Sequence, residues 1–527
     1  MLQRPKLQIV LLSGRIGSGK TSLSRRLVEL YGAHLIKTRD LILQEAPRTK
    51  DERVSLQRAG EKLDRDTDGR WVGNALIRKM EEMETASGVA EGLYVLDSVR
   101  IPGQLDAIRT AFGSAVVHHI HLTASEELLK ERYNKREAAA DQGVTFETAA
   151  ANATERRVED LAGLADTVVR TDRCTEEGVL VRATALLGLY PRSVDPLVDV
   201  LVGGQFGSEG KGNIVGHIAP EYDLFVRVGG PNAGHKVYAE PEPEAYFHLP
   251  SGTDRAPNSK LLLGPGAVIY PQKLLEEIAR HSVSVDRLVI DEQAMIIEDE
   301  DRRIEEQKLA SMGSTAQGVG SASARKIMGR GGAESPPVRL AKDVDELKPY
   351  VGIAQAVLEN AFCEGKKVLL EGTQGTSLSL HHGPYPHVTS RDTTVAGCLA
   401  DAGIAPGRVR RIVSVFRTYP IRVAGKSGDL PGGEVSYEEL SDRSRIPIDE
   451  LKSTELTTTT KRQRRLGEFD WEQLRRSCVL NGPTDIALTF VDYLDVDNRQ
   501  AYRFEQLTPA TLRFIEEVER VAGVPVS

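Results

Sequence analysis

The chain has 527 residues, a formal net charge of −8 and 40% hydrophobic residues. This length predicts two or three folding units, because single domains mostly span about 100–200 residues. No apolar run approaches the ~18–20 residues that a membrane span requires, and basic residues are scattered, so we expect neither a membrane nor a nucleic acid polymer among its partners.

The cysteines and the N-terminus indicate a cytoplasmic protein. The apolar N-terminal stretch runs directly into a glycine-rich loop rather than into a cleavage site, which is typical of a first strand and not of a signal peptide. The four cysteines are far apart and form no C-x-x-C pair, which argues against a disulfide framework and a zinc site; they are Cys174, Cys363, Cys398 and Cys478.

The first predicted element is a strand at residues 7–12, followed by the loop GRIGSGKT and a helix-patterned segment. This order is the context of a Walker A phosphate-binding loop. Glycines let backbone N–H groups converge on phosphate oxygens, the lysine adds a positive charge, and the threonine offers a hydroxyl to Mg²⁺. The predicted phosphate-binding residues are Gly14, Gly17, Gly19, Lys20 and Thr21, with Thr21 also a metal ligand.

A second short strand is predicted at residues 94–96, ending at Asp97 and followed by Arg100. With the Walker A loop, these residues resemble the nucleoside monophosphate kinase group of P-loop proteins over residues 5–175. The resemblance implies that Asp97 supports Mg²⁺, that Asp40 lies where the acceptor is held, and that a helical lid carries arginines. Candidate lid arginines, which could equally form a solvated helix face, are Arg132, Arg136, Arg156 and Arg157.

A connector that contains proline follows the last predicted helix of this region and places a domain boundary near Ser193. A new apolar strand at residues 198–202 then runs into the loop GGQFGSEGKG, again a strand followed by a phosphate-type glycine loop. Six further segments follow in order: GGPNAGHKV (229–237), HLPSG (248–252), STAQGVGSASARK (314–326), EGTQGTSLSLHHGPYPHVTSRDTT (371–394), TTTTKRQRRLGEFD (457–470) and NGPTDIALTFVDYLD (481–495).

In this order, the segments resemble the adenylosuccinate synthetase family over residues 198–527, in particular its short archaeal and phage branch, which includes a phage 2-aminoadenylosuccinate synthetase acting on dGMP. The predicted fold is therefore α/β, with two P-loop-type domains of mainly parallel sheets flanked by helices. The domains are a kinase-like unit at residues 1–190 and a ligase unit at residues 195–527. The resemblance implies a homodimer.

The resemblance also implies the reaction. A γ-phosphoryl group is transferred from a nucleoside triphosphate to O6 of a 6-oxopurine nucleoside monophosphate, and the amine of L-aspartate then displaces phosphate at C6. In this scheme His235 is the general acid, and Lys211 and the loop bind the triphosphate, with Mg²⁺ as cofactor. The implied triphosphate-binding residues are Gly207, Glu209, Gly210, Gly212 and Asp492, and the implied Mg²⁺ ligands are Ser208 and the carbonyl of Gly234.

The other substrates have implied residues as well. The nucleoside monophosphate is bound by Asn232, Thr315, Gln374 and Thr389, with Arg462 on its ribose and Arg330 contributed across the dimer. Aspartate is bound by Thr459, Thr460 and Arg464. An arginine suits a carboxylate because it donates two parallel hydrogen bonds.

Two residues depart from the family pattern. Ser208 stands where the family has the aspartate that removes the N1 proton and contacts Mg²⁺; a hydroxyl leaves room for the 2-amino group of guanine, which favours GMP or dGMP. Phe490 replaces the lysine of the Thr-Lys-x-Asp motif that reads guanine, which makes ATP at least as good a donor candidate as GTP.

Two alternatives remain open. One is a conventional adenylosuccinate synthetase that uses IMP and GTP and tolerates Ser208. The other is a nucleotide-sensing pseudoenzyme, favoured by Ser208 together with a C-terminus that ends one strand earlier than the branch predicts. The resemblance leaves open the choice of ribose or deoxyribose and the acceptor of the kinase-like unit.

Overall fold

A computed structural model of the chain describes residues 7–87, 92–135, 145–151, 157–189, 195–238, 242–309, 312–332, 336–457 and 462–527. The chain divides into two compact units, Met1–Arg192 and Ser193–Ser527. Among the described residues, no helix is both long and apolar enough to cross a membrane.

The first unit is a sheet of five strands with helices around it. Its strands are β1 (Leu7–Ser13), β2 (His34–Lys37), β3 (Gly92–Asp97), β4 (Val117–Thr123) and β5 (Thr167–Arg170). Its α-helices are α1 (Lys20–Tyr31), α2 (Thr38–Glu45), α3 (Arg53–Thr67), α4 (Trp71–Ser87), α5 (Pro102–Phe112), α6 (Glu126–Asn134), α7 (Phe146–Ala150) and α8 (Glu176–Leu186). The strand order is β2-β3-β1-β4-β5, and every neighbouring pair is parallel.

Helices cover both faces of this sheet, which explains its nearly continuous apolar strands. Ile9 and Leu11 on one face of β1 pack into a core with residues of α4 and α5. Val10 and Leu12 on the other face pack with residues of α1 and α8. The strands predicted at residues 7–12 and 94–96 are confirmed as β1 and β3.

The second unit is built on a larger sheet. Its strands are β6 (Val198–Gly203), β7 (Leu224–Arg227), β8 (His235–Val237), β9 (Glu244–Tyr246), β10 (Lys260–Leu263), β11 (Val268–Ile269), β12 (Leu288–Asp291), β13 (Met295–Ile296), β14 (Val351–Gly352), β15 (Val368–Glu371), β16 (Val409–Arg417), β17 (Ile421–Val423), β18 (Glu434–Val435), β19 (Arg464–Gly467) and β20 (Asp485–Thr489). Its α-helices are α9 (Lys211–Ile218), α10 (Pro271–Arg280), α11 (Asp299–Leu309), α12 (Val319–Met328), α13 (Ala354–Cys363), α14 (Val395–Ala402), α15 (Tyr437–Ser444), α16 (Ile448–Thr454), α17 (Trp471–Asn481) and α18 (Pro509–Ala522).

Eight of these strands form a parallel sheet in the order β14-β12-β10-β7-β15-β6-β16-β20. A small antiparallel sheet of order β17-β19-β18 accompanies it. The predicted α/β class, with mainly parallel sheets flanked by helices, is confirmed in both units. In such sheets, ligands bind in the crevice beyond the carboxyl ends of the strands.

The last helix, α18, has capping residues at both ends. Thr508 caps α18, and its side chain accepts a hydrogen bond from the backbone N–H of Thr511. Pro509 occupies the first turn, and Gly523 ends the helix in the left-handed conformation; both positions are typical of these residues.

Candidate active site

In the first unit, the predicted phosphate-binding loop connects β1 to α1. Gly14, Gly17 and Gly19 all have positive φ, a conformation that residues with a Cβ rarely adopt. The ammonium group of Lys20 donates to the carbonyl of Gly14 at 2.6 Å and to that of Arg15 at 3.1 Å. The loop therefore has the backbone shape of an anion-binding site at a helix N-terminus.

A cavity of about 210 Å³ lies beside this loop. It is lined by Gly17, Gly19, Arg132, Thr171 and Cys174, among others. The guanidinium group of Arg132 is held in place by the side chain and the carbonyl of Thr171, at 2.8 and 3.0 Å.

The other residues predicted for the first unit lie apart from this cavity lining. Asp97 ends β3, and Asp40 and Arg100 are exposed. Arg157 is exposed as well, whereas Arg136 and Arg156 lie outside the described residues.

In the second unit, five strands bring polar residues to one edge of the large sheet. β7 ends at Arg227, β15 at Glu371, β16 at Arg417 and β20 at Thr489. Beyond the end of β6, the loop of residues 203–210 leads into α9. Because all these strands are parallel, their carboxyl ends lie side by side although their residues are far apart in sequence.

The loop after β6 folds around a buried carboxylate. The side chain of Glu209 is fully buried and accepts hydrogen bonds from the backbone N–H groups of Gln205 and Gly207, at 3.1 and 2.8 Å. The ammonium group of Lys211 donates to the same carboxylate at 2.6 Å. Of the predicted triphosphate-binding residues, Glu209 thus directs its side chain into the protein.

Glycines bring this loop close to His235. Gly207 and Gly210 have positive φ. A Cβ at Gly212 would lie 2.7 Å from the carbonyl oxygen of Lys236 and 3.1 Å from Cβ of His235. The start of α9 can therefore pack directly against β8 only because position 212 carries no side chain.

His235 belongs to a buried cluster of charged and polar groups. Its Nδ1 lies 2.5 Å from Oε1 of Glu371, and the hydroxyl of Ser251 donates to the same carboxylate oxygen at 2.5 Å. Arg227 donates to Glu371 at 3.1 Å and to the carbonyl of Ala233 at 3.1 Å. A carboxylate at Nδ1 favours the tautomer with a proton on that nitrogen, which leaves Nε2 for a substrate.

Burial is the main reason that the pKa of His235 is low and its imidazole neutral. Burial, together with the neighbouring Arg227, lowers the pKa of His235 to about 4. Burial alone would raise the pKa of Glu371, but Arg227 and His235 outweigh it and lower that pKa to about 2. His235 can act as an acid once phosphate charges near Nε2 raise its pKa, because opposite charge stabilises the imidazolium.

Two of the residues predicted to bind the nucleoside monophosphate, Asn232 and Thr389, contact each other. The amide of Asn232 donates to the hydroxyl of Thr389 at 3.4 Å, and its buried Oδ1 has no hydrogen-bond partner within the described part of the chain. Gln374 has φ of 58° and follows β15, where its backbone contacts the loop after β6. The carbonyl of Thr315 accepts from Gln317 at 2.9 Å.

Two other predicted residues lie on the surface. Arg330 is exposed, and its Nε donates to the carbonyl of Ile327 at 2.9 Å. Arg462 is exposed, and its backbone N–H donates to Thr457 at 2.9 Å. The predicted aspartate-binding residues Thr459 and Thr460 lie outside the described residues.

Arg464, predicted to bind aspartate, and Ser208 do come together. Nη2 of Arg464 donates to the hydroxyl of Ser208 at 3.2 Å. Ser208 is exposed and has φ of 58°, so it presents its side chain from a strained turn of the loop. Behind them, Glu455 and Arg417 form a buried ion pair.

Phe490 and Asp492 flank the same edge after β20. The ring centroid of Phe490 lies 3.9 Å from the guanidinium carbon of Arg417, a cation–π contact. The carboxylate of Asp492 accepts from Nε of Arg499 at 3.1 Å. Asp492 therefore already has a cationic partner, and an aromatic surface replaces the lysine expected at position 490.

The predicted Mg²⁺ ligands fit an ion that arrives together with phosphates. No group of three His, Cys, Asp or Glu side chains suited to a metal occurs among the described residues. The predicted ligands, the Ser208 hydroxyl and the Gly234 carbonyl, are neutral oxygens, and Ser208 has a guanidinium beside it. Such a donor set fits Mg²⁺ that arrives bound to substrate phosphates, as is usual for this ion.

Sequence reasoning missed the roles of several residues in this site. Arg227, Ser251, Arg417 and Glu455 were not singled out, and Glu371 was noted only as the start of a motif. A usable signal exists for three of them: a charged residue ends each of the apolar runs LFVR, VLLE and SVFR. At the carboxyl end of a buried parallel strand, such a residue faces the ligand crevice.

Fold and site define a nucleotide-binding α/β protein with one phosphate-type loop in each unit. The family model for adenylosuccinate synthetase matches residues 200–335 and 332–499, and a model for an AAA domain matches residues 10–151. The chain belongs to the adenylosuccinate synthetase family. Its second unit is an adenylosuccinate-synthetase-type ligase of purine biosynthesis, and its first carries a phosphate-type loop within the region that the AAA-domain model matches.

Curated relatives and solved structures support this assignment. Adenylosuccinate synthetase of Methanocaldococcus jannaschii is 37% identical over 336 residues, which cover 62% of this chain and 92% of the relative. Succinoaminodeoxyadenylate synthetase of cyanophage S-2L, solved with dGMP and with dATP as energy donor, is 28% identical with a TM-score of 0.51, covering 63% of this chain and 91% of that one. Adenylosuccinate synthetase of Plasmodium falciparum shares the fold, with 24% identity, a TM-score of 0.54 and coverage of 63% and 96%.

Proposed function

We propose that residues 195–527 join L-aspartate to C6 of GMP or dGMP, with ATP as the phosphoryl donor. The observation that carries the proposal is Ser208, a neutral side chain whose hydroxyl accepts a hydrogen bond from Arg464. A hydroxyl at this position can accept from a 2-amino group, whereas a carboxylate would crowd it. The cyanophage relative solved with dGMP and dATP supports the same choice of substrates.

In the proposed reaction, the triphosphate lies against the loop after β6, with Lys211 beside its phosphates. N1 of the purine releases its proton to water, the γ-phosphoryl group passes to O6 while the O–P bond to the nucleoside diphosphate breaks, and His235, protonated beside the phosphates, donates a hydrogen bond from Nε2 to the transferring group. The amine of aspartate then attacks C6, the C6–O6 bond breaks, phosphate leaves, and the new C–N nitrogen releases its proton to water. Catalysis in such transfers comes mainly from positioning and electrostatic stabilisation.

We further propose specific tasks for the binding residues. Asn232 and Thr389 bind the nucleoside monophosphate, and Gln374 approaches its base from the end of β15. Arg464 binds a carboxylate of aspartate through a charge-assisted hydrogen bond. Mg²⁺, brought by the triphosphate near the Gly234 carbonyl, would neutralise phosphate charge.

The donor preference rests on Phe490. An aromatic ring can stack on any purine, but it lacks the positive charge that packs over guanine in the family motif. Asp492, already paired with Arg499, is less available to read the amine of guanine. We therefore favour ATP over GTP.

A matrix of substrates tests the proposed function. Purified full-length chain is incubated with L-aspartate, Mg²⁺, one of IMP, GMP and dGMP, and either ATP or GTP, and phosphate release that depends on aspartate is measured. The proposal expects the highest rate with a guanine monophosphate and ATP. A higher rate with IMP and GTP would make the chain a conventional adenylosuccinate synthetase, and no turnover with any pair would favour a nucleotide sensor.

The first unit is proposed to be a nucleotide kinase with its own site. Replacement of Lys20 by alanine should lower phosphoryl transfer from ATP to nucleoside monophosphates at least ~100-fold, because the loop loses its only lysine charge on the phosphates. The ligase rate of the full chain should stay within about twofold. The converse variant, Lys211→Ala, should abolish only the ligase reaction. If either variant removed both activities equally, the two-site account would be wrong.

A further inference from the structure

Glu455 is a buried carboxylate for which the proposed reaction has no role so far. It directly follows α16 and is fully buried. Its Oε1 accepts from Nη2 of Arg417 and from the hydroxyl of Tyr493, the latter at 2.8 Å. Its Oε2 accepts from Nη1 of Arg464 at 3.2 Å. One carboxylate thus holds two guanidinium groups and a phenol.

The two arginine partners keep the carboxyl group of Glu455 ionised. Burial alone would raise the pKa of this carboxylate, but the adjacent Arg417 and Arg464 outweigh it and hold the pKa below its usual value. Because two guanidinium charges face one carboxylate, these three side chains together carry one net positive charge. A net positive charge of this kind suits a dicarboxylate substrate.

The geometry at Arg464 shows which part of its guanidinium group remains for a ligand. Nη1 is bonded to Glu455, Nη2 to the hydroxyl of Ser208, and Nε is buried without a hydrogen-bond partner in the described part of the chain. Nη2, whose partner is the exposed Ser208, is therefore the nitrogen that remains to donate to a substrate carboxylate. Glu455 therefore occupies the side of Arg464 that faces away from Ser208.

The backbone fixes the same orientation. The N–H of Arg464 donates to the carbonyl of Glu455 at 2.9 Å, at the start of β19. Gln463 also donates to this carbonyl, at 3.0 Å. Both the main chain and the side chain of Glu455 thus hold the strand that carries Arg464.

From this arrangement we infer that Glu455 is a positioning residue for substrate aspartate, which holds Nη1 of Arg464 so that Nη2 points to the side of Ser208. The inference rests on the proposed function, in which Arg464 binds aspartate. It goes beyond it by assigning aspartate affinity to a residue that does not itself touch the substrate.

Replacement of Glu455 by glutamine keeps the shape and removes the charge. The KM for L-aspartate should rise about 30-fold, as expected when a charge-assisted hydrogen bond no longer orients the arginine. The KM values for both nucleotides should stay within about threefold, and kcat at saturating aspartate should fall much less than kcat/KM. A purely structural role would instead lower stability without a selective effect on aspartate.

Asp199 provides a matched control. It is also a buried carboxylate that accepts hydrogen bonds from an arginine and a tyrosine, Arg410 at 2.6 Å and Tyr222 at 2.6 Å. It lies at the start of β6, however, whereas the loop with Ser208 follows the end of that strand. Asp199→Asn should lower the melting temperature without raising the KM for aspartate. If Glu455→Gln does not fold, Tyr493→Phe removes one hydrogen bond to Glu455 and keeps the ring, and it should raise that KM about threefold.

Aspartate binding measured by calorimetry separates the two hypotheses. If wild type binds L-aspartate but turns over no nucleotide pair, the proposed function is wrong, and the inference is then judged by the Kd, which should weaken about 30-fold in Glu455→Gln. If wild type is active and the variant has an unchanged KM for aspartate, the inference is wrong. If wild type binds no aspartate, both are wrong.

Discussion

His235→Asn is expected to lower turnover at least ~100-fold while changing nucleotide affinity by less than about threefold. A positioned acid contributes ~10²–10⁴-fold, and its interaction with the transferring phosphoryl group is felt mainly in the transition state. In the protein, Nδ1 of His235 is already bonded to Glu371 at 2.5 Å, so Nε2 is the nitrogen that serves the substrate. The side-chain amide of asparagine has no acidic proton to donate in place of Nε2.

His248 is the matched control for this measurement. It is buried like His235, and its Nδ1 lies 3.0 Å from the carboxylate of Glu277. His248→Asn should therefore cost a similar amount of stability, seen as a lower melting temperature, with a much smaller loss of turnover. A variant of His235 that lost nucleotide binding but kept its rate at saturation would show that the residue is only a structural contact.

Ser208→Asp is expected to reverse the choice of purine. Wild type should prefer GMP or dGMP over IMP in kcat/KM, and the aspartate variant should prefer IMP. The preference can be as large as ~10⁴-fold, because a site that hydrogen-bonds a substrate amine rejects the analogue that lacks it. A competition assay with two nucleotides measures it directly.

The backbone conformation at position 208 can accommodate the side chains used in this exchange. Its φ of 58° lies in the left-handed region, which aspartate and asparagine tolerate better than most residues. Ser208→Asn is therefore the control, because it should crowd the 2-amino group as aspartate does but supplies no base. It should lower turnover of the guanine nucleotides without raising turnover of IMP. Wild type that consumed IMP faster than either guanine nucleotide would mean that the serine is a tolerated variant.

The phosphate loops and the strands before them could be predicted from sequence because both signals are local. The phosphate loop of residues 14–20 and the final helix capped by Thr508 are each specified by residues that are close together in the chain. His235 was found through its motif, but its partner Glu371 is 136 residues away. That contact depends on the order β7-β15-β6 in the sheet, which no local pattern encodes.

The Glu455 cluster illustrates a second limit. Arg417, Glu455 and Arg464 come from the end of β16, the residue after α16 and the start of β19. In the sequence, Arg464 looks like one member of a basic run, and nothing indicates that its Nη1 is bonded to a buried carboxylate. Side-chain direction decides this contact, and packing of three separate elements decides that direction.

In the proposed reaction O6 is phosphorylated, so the purine oxygen leaves C6 as part of the released phosphate. The most direct test uses GMP or dGMP labelled with a heavy oxygen isotope at the 6-oxo position, incubated with ATP, Mg²⁺ and L-aspartate, followed by mass analysis of the phosphate released. The label is expected to leave with phosphate, because the C6–O6 bond breaks when the amine displaces phosphate from C6. Unlabelled phosphate, released while aspartate is joined to the purine, would contradict it.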